Sequence, residues 1–270
     1  MRKLTLITMA QGNMKALKKT FDSFSGVADE IIFGDLLIFE DDRKVLREYE
    51  KQYNMKTVVF PFNYIFKNGF SSILNELSRH SSNDLCIYMN CSEVIGVGKE
   101  SIKTTINDFK DCNAFYFDHA TDPHRWFRCY ERKELQWSGV IHEEVVGEYR
   151  PYHKPLFTMA DEEKDLDDQF KAKVFNDIKE IVYFNQYLKL VEEPGKNGAT
   201  NQGWVSFALD NYESMKFRLD KKGARYKAFI EGDFEMFLHD IYNNAEFEQE
   251  RFSSNYMIEF QGDPKYLGKA

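Results

Sequence analysis

Cysteine is scarce in this chain and forms no pattern. Cys86, Cys91, Cys112 and Cys129 include no CxxC pair and none of the spacings of a zinc site, so they read as buried or incidental thiols. Long apolar runs are missing as well. No stretch approaches the roughly 18 apolar residues of a membrane span, and the amino-terminal segment from Met1 to Ala10 is too short for a signal peptide. The expectation is a cytoplasmic protein without a membrane span. Basic charge is in deficit: 36 Lys and Arg against 44 Asp and Glu give a formal charge of -8, a field that repels polyanions. Nucleic acid is thereby disfavoured as a partner without being forbidden, since a local basic patch would suffice. No internal repeat is regular enough for a solenoid.

What is present is enough apolar matter for a sizeable core: 270 residues, 43% hydrophobic and 16% aromatic. In the first half, short apolar strands alternate with helical patterns, which argues for βαβ units and a mainly parallel sheet. Strands are expected at residues 4–8, 30–34, 57–60 and from 85. The intervening helices are expected after Asn13 as cap, with Leu17, Phe21 and Phe24 on the apolar stripe, then over 41–53, and over 70–79 entered through Asn68 and Gly69. A further helix is expected over 101–109. Beyond it the strands at 114–118, 126–130 and 139–146 follow without intervening helices, so a mixed or antiparallel edge is expected. The sheet region ends near residue 158. From Glu162 the chain is charged and helical in period, with Phe170, Val174, Ile178, Ile181 and Leu188 on one stripe broken at Pro194-Gly195. The fold class is therefore α/β, a Rossmann-like mixed, mainly parallel sheet flanked by helices, with residues 1–158 as the ligand-binding domain and 159–270 as a helical carboxyl-terminal region.

Chemistry is sought at strand ends. Residues 85–95, Leu-Cys-Ile-Tyr-Met-Asn-Cys-Ser-Glu-Val-Ile, run from an apolar strand straight into a polar cluster, and open α/β sheets bind ligands beyond the carboxyl ends of their strands. Four such groups occur: the Gln11-Gly12-Asn13 turn, Asp35, the Asn90-Cys91-Ser92-Glu93 turn, and His142-Glu143. Each alone is equally well explained by turn chemistry, because Asn, Asp, Ser and Gly favour turns for local reasons. Four together, all able to open on one sheet edge, weaken that explanation. A displacement by an acceptor hydroxyl needs a carboxylate to take the proton, and Glu143 at a strand end is a suitable one. His142-Glu143-Glu144-Val145-Val146 lacks the second His of a zinc-peptidase motif. The acid run Asp161-Glu162-Glu163 with Asp165, Asp167 and Asp168 reads as a solvated face.

The segment from Leu4 to Asn13 resembles the opening strand and turn of family 2 glycosyltransferases of the GT-A fold. Asp35 after Ile31-Ile32-Phe33-Gly34 looks like that family's base-holding acid. Phe70-Ser71-Ser72-Ile73-Leu74-Asn75 is similar to its Phe-Ala-x-x-Arg-Asn helix start, with Leu74 where a basic residue is usual. Asn90-Cys91-Ser92-Glu93 stands where the family has Asp-Ala-Asp-Glu, so only the last acid is retained. Arg125-Trp126-Phe127-Arg128 and Gly139-Val140-Ile141-His142-Glu143 are similar to the Arg-Leu-Phe-Arg and Gly-x-Ile-His-Glu signatures of the branch that includes lipopolysaccharide-core glycosyltransferases. The resemblance covers roughly residues 3–150. It implies a GT-A-like fold and transfer of a sugar, in the inverting sense, from a nucleotide sugar, a UDP-sugar first, to an unidentified acceptor. Asn13, Asp35, Asn75, Asn90, Ser92, Arg125 and Arg128 would bind the donor, and Glu143 would be the base. A divalent Mg or Mn ion would fall to Glu93 and His142, in a site short of two formal charges. Two other readings compete: a nucleotide-sugar-binding protein that has lost catalysis, and a glycosyltransferase acting on a nucleobase or nucleic acid.

Overall fold

The computed structural model describes residues 1–10, 14–36, 40–60, 62–120, 126–139 and 143–161, together with Lys179, Val182, Tyr183 and Gln186. The chain divides into two compact units, Met1–Lys171 and Ala172–Ala270. In the second, the four described residues are helical; the apolar stripe from Phe170 to Leu188 and the helices expected beyond it lie outside the described residues. Among the described residues no helix is long and apolar enough to cross a membrane.

The first unit begins as the alternation predicts. Strand β1 (Leu4–Ala10) is followed by α1 (Met14–Phe24), β2 (Glu30–Asp35), α2 (Glu40–Gln52), β3 (Met55–Val59), α3 (Phe62–His80) and β4 (Leu85–Tyr88). Then come β5 (Glu93–Val97), α4 (Ile102–Asp108), β6 (Ala114–His119), β7 (Trp126–Glu131), the pair β8 (Leu135–Ser138) and β9 (Glu144–Gly147), and β10 (Thr158–Asp161). Eight strands form one sheet in the order β3-β2-β1-β4-β7-β6-β10-β5, and β8 and β9 form a separate antiparallel pair. The run β3-β2-β1-β4 is parallel; β7 is antiparallel to both β4 and β6. An α/β fold with a mixed, mainly parallel sheet flanked by helices is thus the class observed.

Three details differ from the sequence expectation. The segment 139–146 is not one strand: Gly139 has φ 106, a left-handed conformation that glycine tolerates, and ends the ladder after Ser138. Helix α3 starts eight residues earlier than expected, with Gly69 at φ 74 as a kink inside it rather than as its entrance. The sheet also continues past residue 158, because β10 pairs with both β6 and β5.

The last pairing bends the sheet. In a flat sheet β4 and β5 would lie four strand spacings apart, roughly 19 Å. The four residues linking Tyr88 to Glu93 reach at most about 17 Å when fully extended, and they are folded into a turn. The sheet therefore has to curl until β5 returns toward the end of β4.

Each face is closed by apolar burial. On one, Leu4, Leu6, Ile31, Phe33, Leu85, Ile87 and Phe117 pack with Leu17, Phe21 and Phe24 of α1, Leu46 of α2, and Ile102 and Ile106 of α4. With 11 residues α1 is too short to be stable alone. Burial of its Leu and two Phe side chains, worth roughly 1.5–3 kcal/mol each, decides the matter. On the other face lies α3, close enough that a Cβ added to Gly34 would stand 3.2 Å from Leu77 Cδ1.

Asp29 ties the start of β1 to α4, accepting from the Leu4 N–H at 2.9 Å and from Lys103 Nζ at 2.8 Å. Burial pushes its pKa up, but the bonds from Lys103 and Leu4 outweigh it and hold the carboxyl below its ordinary 3.8. A depressed folded-state pKa stabilises above the ordinary value and is lost as pH falls through the lowered one. Asp29→Asn should therefore unfold more easily than wild type at neutral pH, the gap in urea midpoint closing on acidification below the carboxylate range. A gap constant with pH would remove this role. Of the thiols, Cys86 and Cys129 are fully buried, and burial pushes that of Cys86 up to about 12 and that of Cys129 up as well. Neither should react with Ellman's reagent until the protein unfolds; reaction at a free-thiol rate would contradict the packing of β4 on β7.

Candidate active site

After Tyr88 the chain turns within Asn90–Glu93, where the Glu93 N–H donates to the Asn90 carbonyl at 3.1 Å. The third residue, Ser92, sits at φ 82, a conformation usually left to Gly or Asn. A turn with such a residue persists only if its surroundings hold it, and the Glu93 side chain does so. Its Oε1 accepts from Asn90 Nδ2 at 2.6 Å and its Oε2 from the Asn90 main-chain N–H at 2.5 Å. Arg128 Nη1 donates to the same two oxygens at 3.0 and 2.8 Å. Only 7% of the Glu93 and 11% of the Arg128 side chain is exposed, so deleting either would strand a buried charge at a cost of roughly 3–5 kcal/mol.

Arg128 reaches this point because β7 pairs with β4. Its guanidinium carbon lies 5.6 Å from the ring centre of Tyr88 and 5.9 Å from that of Phe117, within the range of cation–π attraction. Tyr88 is the hub of the cluster. Its hydroxyl donates to Asn90 Oδ1 at 2.6 Å, and its ring meets Trp137 edge-on with centroids 5.4 Å apart. Burial raises the Tyr88 pKa; the Glu93 and Glu143 carboxylates raise it further and Arg128 opposes them, so the hydroxyl stays protonated and remains a donor at neutral pH. Glu143 is half-buried.

Helix α3 holds the other side. Asn75 Nδ2 donates to the Trp137 carbonyl at 2.8 Å, and the Trp137 N–H donates to Asn75 Oδ1 at 2.8 Å. This reciprocal pair, made possible by the two functions of an amide, clamps β8 to the helix. Ser71 Oγ donates to the Gly139 carbonyl at 2.7 Å. The chain that leads to Glu143 is thus fixed at Trp137 and Gly139. The Trp137 indole N–H donates to Tyr130 Oη at 2.8 Å.

Asp35 sits at the end of β2, 1% exposed, with Oδ2 3.1 Å from Arg43 Nη1 of α2. In register it stands beside Ala10 of β1, so it opens on the same edge as Asn90. Of the residues read from the sequence, Asn90, Glu93 and Arg128 meet beside Tyr88, Asn75 binds the main chain of Trp137, Ser92 lies within the turn, and Glu143 follows the fixed Gly139 by four residues. Asn13, Arg125 and His142 lie outside the described residues.

Two features escaped the sequence reading. Tyr88 was read as one residue of an apolar strand, and nothing in a run of Leu-Cys-Ile-Tyr marks which ring carries the site. Asp161, read as part of a solvated acid run, has a side chain 61% exposed, but it also ends β10 opposite Glu93, its Oδ2 3.1 Å from His119 Nε2. The alternation of Thr158 to Asp161 was the signal, too short to stand out from the acids that follow.

The site therefore lies beyond the carboxyl end of β4, next to β1. There the strand order departs in opposite directions, to β2 and β3 on one side and β4 on the other, and open α/β sheets bind ligands at that switch. The chain matches no family model and no curated protein. Among solved structures it is similar to S. aureus TarS 1–349, with a TM-score of 0.43 and 8% identity over 79% of this chain and 80% of that one. It is also similar to TarS 1–349 in complex with UDP-GlcNAc, at 0.41 and 9% over 89% and 80%. With UDP bound, the values are 0.35 and 12% over 68% and 55%. Likeness at this level does not bear on function.

Asn75→Ala removes both hydrogen bonds to Trp137 and should cost about 1–3 kcal/mol, whereas Tyr88→Phe, which keeps the ring packing, should cost about 1 kcal/mol. Chemical denaturation measures both; an unchanged midpoint for Asn75→Ala would dissolve the clamp.

Proposed function

We propose that the protein is a GT-A-type glycosyltransferase that moves a sugar from a nucleotide sugar, a UDP-sugar first, to an acceptor hydroxyl with inversion. The observation that carries this reading is the buried Arg128 guanidinium held at the turn beyond β4, at the switch point of the sheet, with the Glu143 carboxylate four residues beyond the Gly139 that Ser71 fixes. In a single displacement the acceptor oxygen forms a bond to the anomeric carbon as the bond from that carbon to the diphosphate oxygen breaks. The acceptor's proton goes to the Glu143 carboxylate, and the nucleoside diphosphate leaves with the electron pair. Arg128 and Arg125 are the cations assigned to the charge that develops on the leaving group. Asp35 is the acid assigned to the base, and Asn13, Asn90 and Ser92 are assigned to the sugar nucleotide. Asn75 belongs to this reading as a positioning residue that acts through Trp137.

The amide and hydroxyl at Asn90 and Ser92, where the family has carboxylates, favour a second reading in which the nucleotide sugar is bound and not turned over. One variant separates the two. Glu143→Gln should keep the wild-type circular dichroism and nucleotide affinity and lose transfer or donor hydrolysis by roughly 10²–10⁴-fold, the usual contribution of a general base. The assay is release of nucleoside diphosphate from a panel of UDP-sugars. Full activity in Glu143→Gln would remove the base assignment. Saturable binding with no release by the wild type would select the second reading.

A further inference from the structure

We infer that Glu93 is the anchor of Arg128 rather than a metal ligand, and that the cleft takes its nucleoside diphosphate without a divalent cation, Arg128 supplying the positive charge at the turn. The inference rests on the glycosyltransferase reading and sharpens it.

The donor set carries the first part. An ionised carboxylate offers about four lone-pair positions, and Glu93 has a donor on each: Asn90 Nδ2 and Arg128 Nη1 on Oε1, the Asn90 N–H and Arg128 Nη1 on Oε2. A metal ion could bind Glu93 only by displacing one of them. Either the Asn90 amide groups would lose their partner, and with it the hold on a turn strained at Ser92, or a guanidinium would lose its counter-ion in a buried place. The rest of the turn offers poor compensation. Asn90 Oδ1 already accepts from Tyr88, and Ser92 brings a neutral hydroxyl where hard divalent cations favour carboxylate oxygen. The residues of this turn do not fit Mg or Mn.

Electrostatics carries the second part. The single negative charge of the turn is cancelled by a positive one bonded directly to it, so an approaching divalent ion meets no net attraction and a guanidinium at close range. For a diphosphate the same cancellation removes the repulsion that a bare Glu93 would exert, and leaves the guanidinium as the charged group beside it. Arg stays charged at every accessible pH, and its planar fork matches phosphate oxygens. Here it is held by Glu93 on one side and by the Tyr88 and Phe117 rings on the other. A cation fixed in advance needs no reorganisation when charge develops beside it.

The test is nucleotide binding by the full chain, with UDP, GDP and ADP as probes. Each is titrated calorimetrically in EDTA and in excess MnCl2, while the electron paramagnetic resonance signal of free Mn2+ is followed. The expected result is one nucleotide bound with the same Kd in both media to within about twofold, and no loss of free Mn2+ signal beyond that caused by nucleotide alone. Arg128→Lys, which keeps the charge and gives up the fork, should weaken that Kd roughly tenfold or more in both media. Glu93→Gln, which keeps the shape and loosens the hold on Arg128, should weaken it in both media alike. Binding that appears only with Mn2+, or weakening by Glu93→Gln confined to the Mn2+ arm, overturns the inference and leaves the glycosyltransferase reading standing. Failure of all three nucleotides in both media overturns both.

Discussion

The bond between Glu93 and Arg128 is the constraint on which the rest of the site depends. Glu93 is at once the last residue of the turn after β4 and the first of β5, whereas Arg128 belongs to β7, the neighbour of β4. Burying two charges is tolerable only when they meet each other with good geometry and their remaining polar positions are satisfied. The Asn90 amides complete that requirement on the Glu93 side. The pair thereby fixes where the turn lies relative to β7, and with it where a curled sheet closes on itself. Ser92 can occupy a left-handed conformation because Asn90 and Glu93, at the two ends of its turn, are bound to each other and Glu93 is bound to Arg128.

Around this pair the fold adds a second, independent support. Tyr88 packs under Arg128 and against Trp137, and α3 grips Trp137 through Asn75 and the Gly139 carbonyl through Ser71. The helix that resembles a donor-binding element in sequence thus spends the Asn75 amide on main-chain groups of β8. With Ser71 that amide fixes the chain at Trp137 and Gly139, a few residues before Glu143. Two supports on opposite sides of one ring explain how residues more than sixty positions apart hold a common geometry.

Much of this was legible in the chain. Alternation of apolar strands with amphipathic helices gave the α/β class, because burial on both faces of a parallel sheet leaves a recognisable run in each strand. Polar residues at strand ends pointed to Asp35, Asn90, Glu93 and Glu143, since the carboxyl ends of parallel strands share one edge. Less was legible where a residue's meaning depends on a distant partner. The bond that fills Glu93 was not legible as long as Arg128, 35 positions on, was only a motif residue. Asp161 is a solvated charge, as its run of acids suggests, but four residues are too few to reveal the strand that it ends.

By itself, then, the sequence determined the order and type of the elements up to β4, the edge on which the polar strand ends collect, and a turn at 90–93 with a single carboxylate. Those features are local: they follow from periodicity, turn propensity and the charge of single side chains. Only the tertiary structure decided that this carboxylate would be filled by an arginine and an amide, that Tyr88 would stand between Arg128 and Trp137, and that β5 would return beside β10 opposite Asp161. The physical reason is that hydrogen-bond capacity is spent on whichever donors the packing brings near, and a residue's identity fixes how many bonds it can make but not with whom.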